Sequence, residues 1–285
     1  MFRIDRMGES DVAAALRLSA QAGWNQIEAD WVRLVRLWPE HCVAGRVDGE
    51  VVATGTLAVY RGGGGAVGWV GMILVEESHR GRGYAGAVLD AIVAAADGDE
   101  IGLLGLDATE LGRPVYAVRG FAEHSGMERL LRPAGAGVGQ FGLARGLREG
   151  DWAGVESLDR RATGVDRSQL LRQLSGEPGA RCRVVASDAG VSAFGFLRRG
   201  RAAYHLGPLV AEHPDLADDL CNCLLAEATD GPVLIDVPRP NPLAWVLAAA
   251  GFSAVRQLAR MTRPASAAPV LAGPLVFAAS SFELG

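Results

Sequence analysis

The chain contains no lysine: all 28 of its basic residues are arginine. This bias points to genomic base composition rather than to function. Thirty-three acidic residues outweigh the arginines, giving a net charge of -5 and a pI near 5.6. A protein that coats nucleic acid normally carries a basic balance, so the charge argues against that class. Long apolar runs are missing too. None approaches the roughly 18 residues that cross a bilayer, and Arg3, Asp5, Arg6, Glu9 and Asp11 leave no apolar signal core at the N-terminus. Cysteine is scarce. Cys42, Cys182, Cys221 and Cys223 fit neither a zinc site nor a disulfide framework. Cys221 and Cys223, two apart in a helical pattern, point to different faces. The expectation is a cytoplasmic protein with buried free thiols, no metal, no membrane partner and no nucleic-acid partner.

The chain has the material for two full cores, with 285 residues of which 49% are apolar. Ser10 is placed to cap a helix from about Asp11 to Ala22, and Trp31, Leu34, Val35 and Trp38 mark a second helix near Glu28–Leu37. Cys42–Val47 and Val51–Tyr60 flank an Asp48-Gly49 turn and predict a hairpin. A strand over Val67–Val75 runs into a turn, Ser78-His79-Arg80-Gly81-Arg82-Gly83-Tyr84-Ala85, that opens a helix. Free N–H groups and the dipole at a helix N-terminus suit phosphate oxygens. Gly81 and Gly83 admit close approach of an anion, and Arg80 and Arg82 add positive charge. Farther on come a strand over Ile101–Leu106 ending at Asp107, a short helix with Tyr116, and a strand over roughly Gly126–Leu131.

Arg80-x-x-Gly83-x-Ala85 after a strand is similar to the pyrophosphate signature of the GNAT N-acetyltransferase superfamily. Tyr116-Ala117-Val118-Arg119-Gly120-Phe121 resembles the end of that superfamily's last helix. Beyond a linker-like stretch over 133–139, the pattern starts again. Asp151 answers Asp11, Val210 answers Val75, Asp236 answers Asp107, Gly251-Phe252 answers Gly120-Phe121, and Arg260 answers Arg129, at offsets of 129 to 140 residues. The fold class expected is α/β with a mixed sheet, built as two tandem GNAT-like domains. The divisions expected are 1–132, a linker over 133–139, a degenerate copy over 140–264, and a tail over 265–285 that adds a strand to a sheet. In the second copy the turn becomes Asp215-Leu216-Ala217-Asp218-Asp219-Leu220, preceded by Glu212, and Leu247 replaces the tyrosine. Carboxylates repel a pyrophosphate, so one donor site per chain is expected.

The resemblance implies acetyl-CoA as co-substrate, held by backbone groups of Met72, Ile73, Leu74 and Val75 and by Arg80, Gly81, Arg82, Gly83, Tyr84 and Ala85. It implies a small-molecule primary amine as acceptor, attacking the thioester directly, and Tyr116 as general acid. Trp69 and Val70 stand where some members carry a basic carboxylate, so the base falls to Asp107, equally readable as a structural acceptor. Trp24, Asn25, Tyr60, Asp166, Arg167 and His205 are the candidate acceptor wall, and Arg198, Arg199 and Arg201 read as a solvated hairpin tip. The rival reading is an acyl-CoA-binding sensor or scaffold without catalysis. Monomer and homodimer both remain open.

Overall fold

The computed structural model describes residues 1–135, 142–267, 271 and 273–285; the expected linker over 133–139 therefore lies partly outside the described residues. In the first half the helical spacing is realised in α1 (Val12–Gln21) and α2 (Glu28–Leu37). Trp31, Leu34 and Val35 of α2 are buried. Ser10 is not the cap of α1; it lies in a turn, Glu9–Asp11, where Asp11 accepts from Gly8 N–H at 3.0 Å. Strands β1 (Phe2–Arg6), β2 (Cys42–Val47), β3 (Glu50–Gly62) and β4 (Gly65–Val75) pair in antiparallel succession. Val47 faces Glu50 across the Asp48-Gly49 turn, and both turn residues have positive φ, as a two-residue hairpin loop requires. Helix α3 (Tyr84–Gly98), β5 (Leu103–Ala108), α4 (Arg113–Ala117) and β6 (Ala122–Arg132) follow.

The second half repeats the order with β7 (Arg145–Gly146), α5 (Trp152–Thr163), α6 (Ser168–Ser175), β8 (Arg181–Ser187), β9 (Gly190–Arg199), β10 (Tyr204–Ala211), α7 (Pro214–Leu225), β11 (Val233–Arg239), α8 (Ala244–Ala249) and β12 (Ser253–Arg263). The repeat is visible in the hydrogen bonding. β4 pairs in parallel with β5 only over Val67–Trp69, and β10 pairs in parallel with β11 only over Tyr204–Leu206.

The two halves do not close separately. The described residues form one 13-stranded sheet in which β12 stands between β5 and β6, and β6 stands between β12 and β11. Each half's last strand has crossed to pair with the other half, whereas the sequence reading kept β6 with the elements before it. Two ion pairs mark the crossing. Arg260 on β12 lies opposite Asp107 on β5 and binds it through two N–H···O bonds of 2.8 and 2.7 Å. Arg129 on β6 lies opposite Asp236 on β11 and binds it through two of 2.7 Å. These are the residues that answer one another between the two halves of the sequence.

The tail contributes β13 (Val276–Ala278), antiparallel to β10 at Leu209 and Val210. It sits where β10 has parted from β11, and Ala279 N–H continues the contact to Asp236 O at 2.8 Å. The helices of the two halves meet through buried charge. Arg33 of α2 pairs with Asp30 and with Glu177, and Arg198 lies 3.6 Å from both of those carboxylates. Arg198 is therefore no part of a solvated hairpin tip; it is 3% exposed and donates to Ser280 O at 2.7 Å. Cys42, Cys221 and Cys223 are buried, Cys182 is half-buried, and all four are free. Among the described residues no helix is long and apolar enough to cross a membrane.

Removing one member of a buried ion pair strands the other, at a cost of about 3–5 kcal/mol. Arg129→Met is expected to lower unfolding free energy by that amount in urea titration. The double variant Arg129→Met with Asp236→Leu should recover a large part of the loss.

Candidate active site

β4 and β5 separate beyond Trp69 and Gly105, the last pair in their ladder. From Val70 onward, β5 no longer covers that edge of β4. On its other edge β4 carries an extra residue: Thr54 pairs with Leu74 but Thr56 with Gly71. The bulge puts Met72 at φ 52, and Thr54 Oγ1 donates to Met72 O at 2.9 Å. Bulges of this kind re-aim a strand beside a functional cleft, and a non-glycine residue at positive φ is a local strain held by its surroundings.

The strand then enters the Gly/Arg turn. Gly81 (φ 74) and Gly83 (φ 79) are left-handed, a conformation that only glycine adopts at little cost. Gly83 is the N-cap of the 15-residue α3, whose first N–H groups have no intrahelical partner. Arg80 and Arg82 are exposed, each making one long bond of 3.3 Å to a backbone oxygen, Val75 O and Ser78 O. The Tyr84 ring stacks on Phe2 at 3.9 Å, so its ring is already engaged and its N–H is what it offers the turn. The turn is thus a cluster of N–H donors flanked by two guanidinium groups. In the second half, His213 caps α7 with its own ring, accepting from Asp215 N–H at 3.3 Å, and no left-handed glycine precedes the helix.

Where β4 and β5 part, a cavity of ≈ 100 Å³ opens. β4 supplies Val70, Gly71, Met72 and Ile73, and β5 and its following loop supply Asp107 and Thr109. Trp24 and Gln26 reach it from the loop between α1 and α2, and Tyr116 from α4. The far wall belongs to the exchanged strands and the tail: Arg129, Arg256, Leu258, Phe282 and Glu283. Trp69 Nε1 donates to Phe282 O at 2.8 Å, holding the tail against β4. Gly71 makes this approach possible, because a Cβ there would lie 2.9 Å from Glu283 Cα.

The site residues read from the sequence divide clearly. Met72, Ile73, Asp107, Tyr116 and Trp24 line the cavity, whereas Leu74, Val75 and Arg80–Ala85 form the strand end and turn beside it. Tyr116 is half-buried, and its hydroxyl has no hydrogen-bond partner among the described residues. Burial pushes its phenol up to about 12, so it stays protonated at neutral pH. Arg119 pins the end of α4 to α3 through Asp90, at 2.6 and 2.9 Å. Both oxygens of Asp107 are engaged by Arg260, and its side chain is fully buried. Burial raises its carboxyl above the ordinary range against the pull of Arg260.

The other acceptor-wall residues lie elsewhere. Asn25 ties the halves together: its Oδ1 accepts from Ala202 and Ala203 N–H, and its Nδ2 donates to Ala203 O. Tyr60 is buried and donates to Leu284 O at 2.7 Å. Asp166 accepts from Ser168 N–H at the start of α6 and pairs with Arg160. Arg167 is buried against Asp159, Ser280 and Gly285 O. His205 bridges Asp236 and Arg198. Reading by chain position made these a cleft, but Asn25 and Tyr60 are taken up by contacts between the halves, and Asp166, Arg167 and His205 by partners within the second half and the tail.

Sequence reasoning missed Gln26, Arg256, Phe282 and Glu283. Glu283 is 5% exposed and accepts from Gln26 Nε2 at 3.2 Å. The available signal was a single charge, an acid, in the otherwise uncharged stretch 276–284.

A model described as "Acetyltransferase (GNAT) family" matches residues 11–121, and one described as "Acetyltransferase (GNAT) domain" matches residues 155–273. Between them they span most of the sequence, and the chain belongs to the GNAT acetyltransferase superfamily as a tandem of two such domains. It is an acyltransferase by that membership and by its relatives. It is 25% identical to "Uncharacterized N-acetyltransferase YitH" of Bacillus subtilis, over 83% of this chain and 82% of that one. It is 27% identical to "Holothin acyltransferase" of a Pseudoalteromonas species, over 84% and 80%. A putative acetyltransferase from Pyrococcus horikoshii superposes with a TM-score of 0.82, covering 100% of this chain and 96% of that one at 19% identity, and so shares the fold.

Gly71→Ala is expected to push the tail off β4. Overpacking of this kind costs about 1–3 kcal/mol, readable in urea titration, and changed emission from Trp69, whose indole N–H holds the tail, should accompany it.

Proposed function

We propose that this chain transfers the acetyl group of acetyl-CoA to the primary amine of a small molecule by direct attack. The observation that carries this reading is the convergence on one cavity of an unpartnered phenol, an uncovered strand edge and a buried carboxylate: Tyr116, Val70–Ile73 and Glu283.

The residues present fit acetyl-CoA. The left-handed Gly81 and Gly83, the start of α3 and the exposed Arg80 and Arg82 suit a pyrophosphate. The free edge of β4 suits an amide-bearing arm that pairs as a strand does. Bound acetyl-CoA supplies an activated acyl carbon and a thiolate leaving group. N–H groups of Ile73 or Leu74 stabilise charge that develops on the acyl oxygen. Tyr116 gives its proton at the departing sulfur. The amine arrives protonated and must lose a proton; Glu283 accepts it, in place of Asp107, whose oxygens are committed to Arg260. In the second half β13 already occupies the gap between β10 and β11, which supports a single donor site per chain.

Thiol release from acetyl-CoA against a panel of small amines tests the reading. Amine-dependent release should fall at least tenfold in Tyr116→Phe, since proton transfer contributes about 10²–10⁴-fold. Tight acetyl-CoA binding without release for any amine would leave a sensor. Any alkaline limb caused by Tyr116 belongs near pH 12, not near the phenol's usual value of about 10.

A further inference from the structure

Two arginines line the far wall of the cavity, and their circumstances differ. Arg129 is committed to Asp236 through two bonds of 2.7 Å. Arg256 on β12 faces Arg129 directly across the β6–β12 ladder. Its guanidinium has no hydrogen bond or ion pair to any other group among the described residues. Burial lowers its pKa, the neighbouring Arg129 lowers it further, and Asp236 opposes them. A half-buried cation beside a second cation, with no carboxylate of its own, is electrostatically incomplete. An anion arriving from the cavity completes it, and a planar guanidinium grips a carboxylate through two parallel bonds.

The same cavity also has the complementary shortage. Gln26 gives its Nε2 to Glu283, while its buried Oε1 has no donor among the described residues. The carboxylate of Glu283 and this oxygen together ask for N–H donors, which an ammonium group supplies. The cavity holds ≈ 100 Å³. At roughly 10–15 Å³ for each water-sized occupant, it admits on the order of ten heavy atoms, so the cationic and anionic groups of an occupant must lie a few bonds apart.

We propose that the acceptor is a small amino acid or a close relative, its amine directed to Glu283 and Gln26 and its carboxylate to Arg256. The proposal rests on the reading of the cavity as an acceptor site and adds the substrate class.

The test uses the purified full chain and acetyl-CoA with matched acceptors: leucine against leucinamide and isoamylamine, and the same sets for alanine and phenylalanine. In the wild type, kcat/KM for at least one acid should exceed that for its amide by about tenfold or more, the range of a charge-assisted hydrogen bond. The acid-to-amide ratio should collapse toward one in Arg256→Gln, chiefly through KM, with Arg256→Lys intermediate. The wild-type ratio stands even if a variant folds poorly. Amides or carboxylate-free amines used as well as the acids, or a ratio untouched by Arg256→Gln, would overturn the proposal and leave the acetyltransferase reading intact. Silence from every one of these acceptors would overturn the proposal, and the acetyltransferase reading falls with it only if the wider amine panel is silent too.

Discussion

Two guanidinium–carboxylate pairs at the middle of the sheet hold two exchanged strands in register, and the site depends on that exchange. A strand that slips by one residue turns every side chain to the opposite face. Asp107 with Arg260 and Asp236 with Arg129 make such slippage expensive, because any other register leaves a charge buried and unpaired. The arginines are held from their other sides as well. Arg260 lies over the Trp69 ring at 4.5 Å and Arg129 over Phe282 at 4.4 Å. The burial that makes these pairs costly to form also makes them specific. With β12 fixed beside β5, the second half delivers Arg256 and Leu258 to a cavity whose other wall is β4.

The tail does two things in one pass. As β13 it fills the gap of the second half, at the position where the first half leaves its strand edge uncovered. Four residues after β13 ends, it lays Phe282 and Glu283 into the cavity of the first half. Glycines mark both passages, Gly207 against Ala279 and Gly71 against Glu283. The second copy thus gave up its own turn and tyrosine, and its sequence now serves the first copy's site.

What was legible in the sequence was local. The turn at Arg80–Ala85, the bounds of α2 and β2, and the Asp48-Gly49 hairpin follow from glycine conformation, helical spacing and turn chemistry within a few residues. The repeat was legible as well, and it correctly set Asp107 beside Asp236 and Arg129 beside Arg260 as counterparts. What the repeat could not disclose was that the counterparts bind across the halves, since an exchanged strand and a retained one carry the same residues. The acceptor wall failed for a related reason. Asn25, Tyr60, Arg167 and His205 are polar residues at plausible positions, but their partners lie up to 224 residues away in the chain. Glu283 was hidden in the same way: only the fold makes a tail residue a neighbour of Gly71.

The crossing of β6 and β12 has a kinetic side. The contacts nearest in sequence are β2 with β3, β3 with β4, β8 with β9 and β9 with β10, hairpins that close loops of a few residues. The bond between Asp107 and Arg260 spans 153 residues, and the loop entropy of such a closure is spent before any of its contacts form. The two flanks of the sheet can therefore organise early, while its middle waits for the whole chain. Until β12 arrives, β5 presents an open edge, the kind that pairs indiscriminately with other chains. The centre of the finished sheet is thus the last part to be built and the most exposed to error while it is being built.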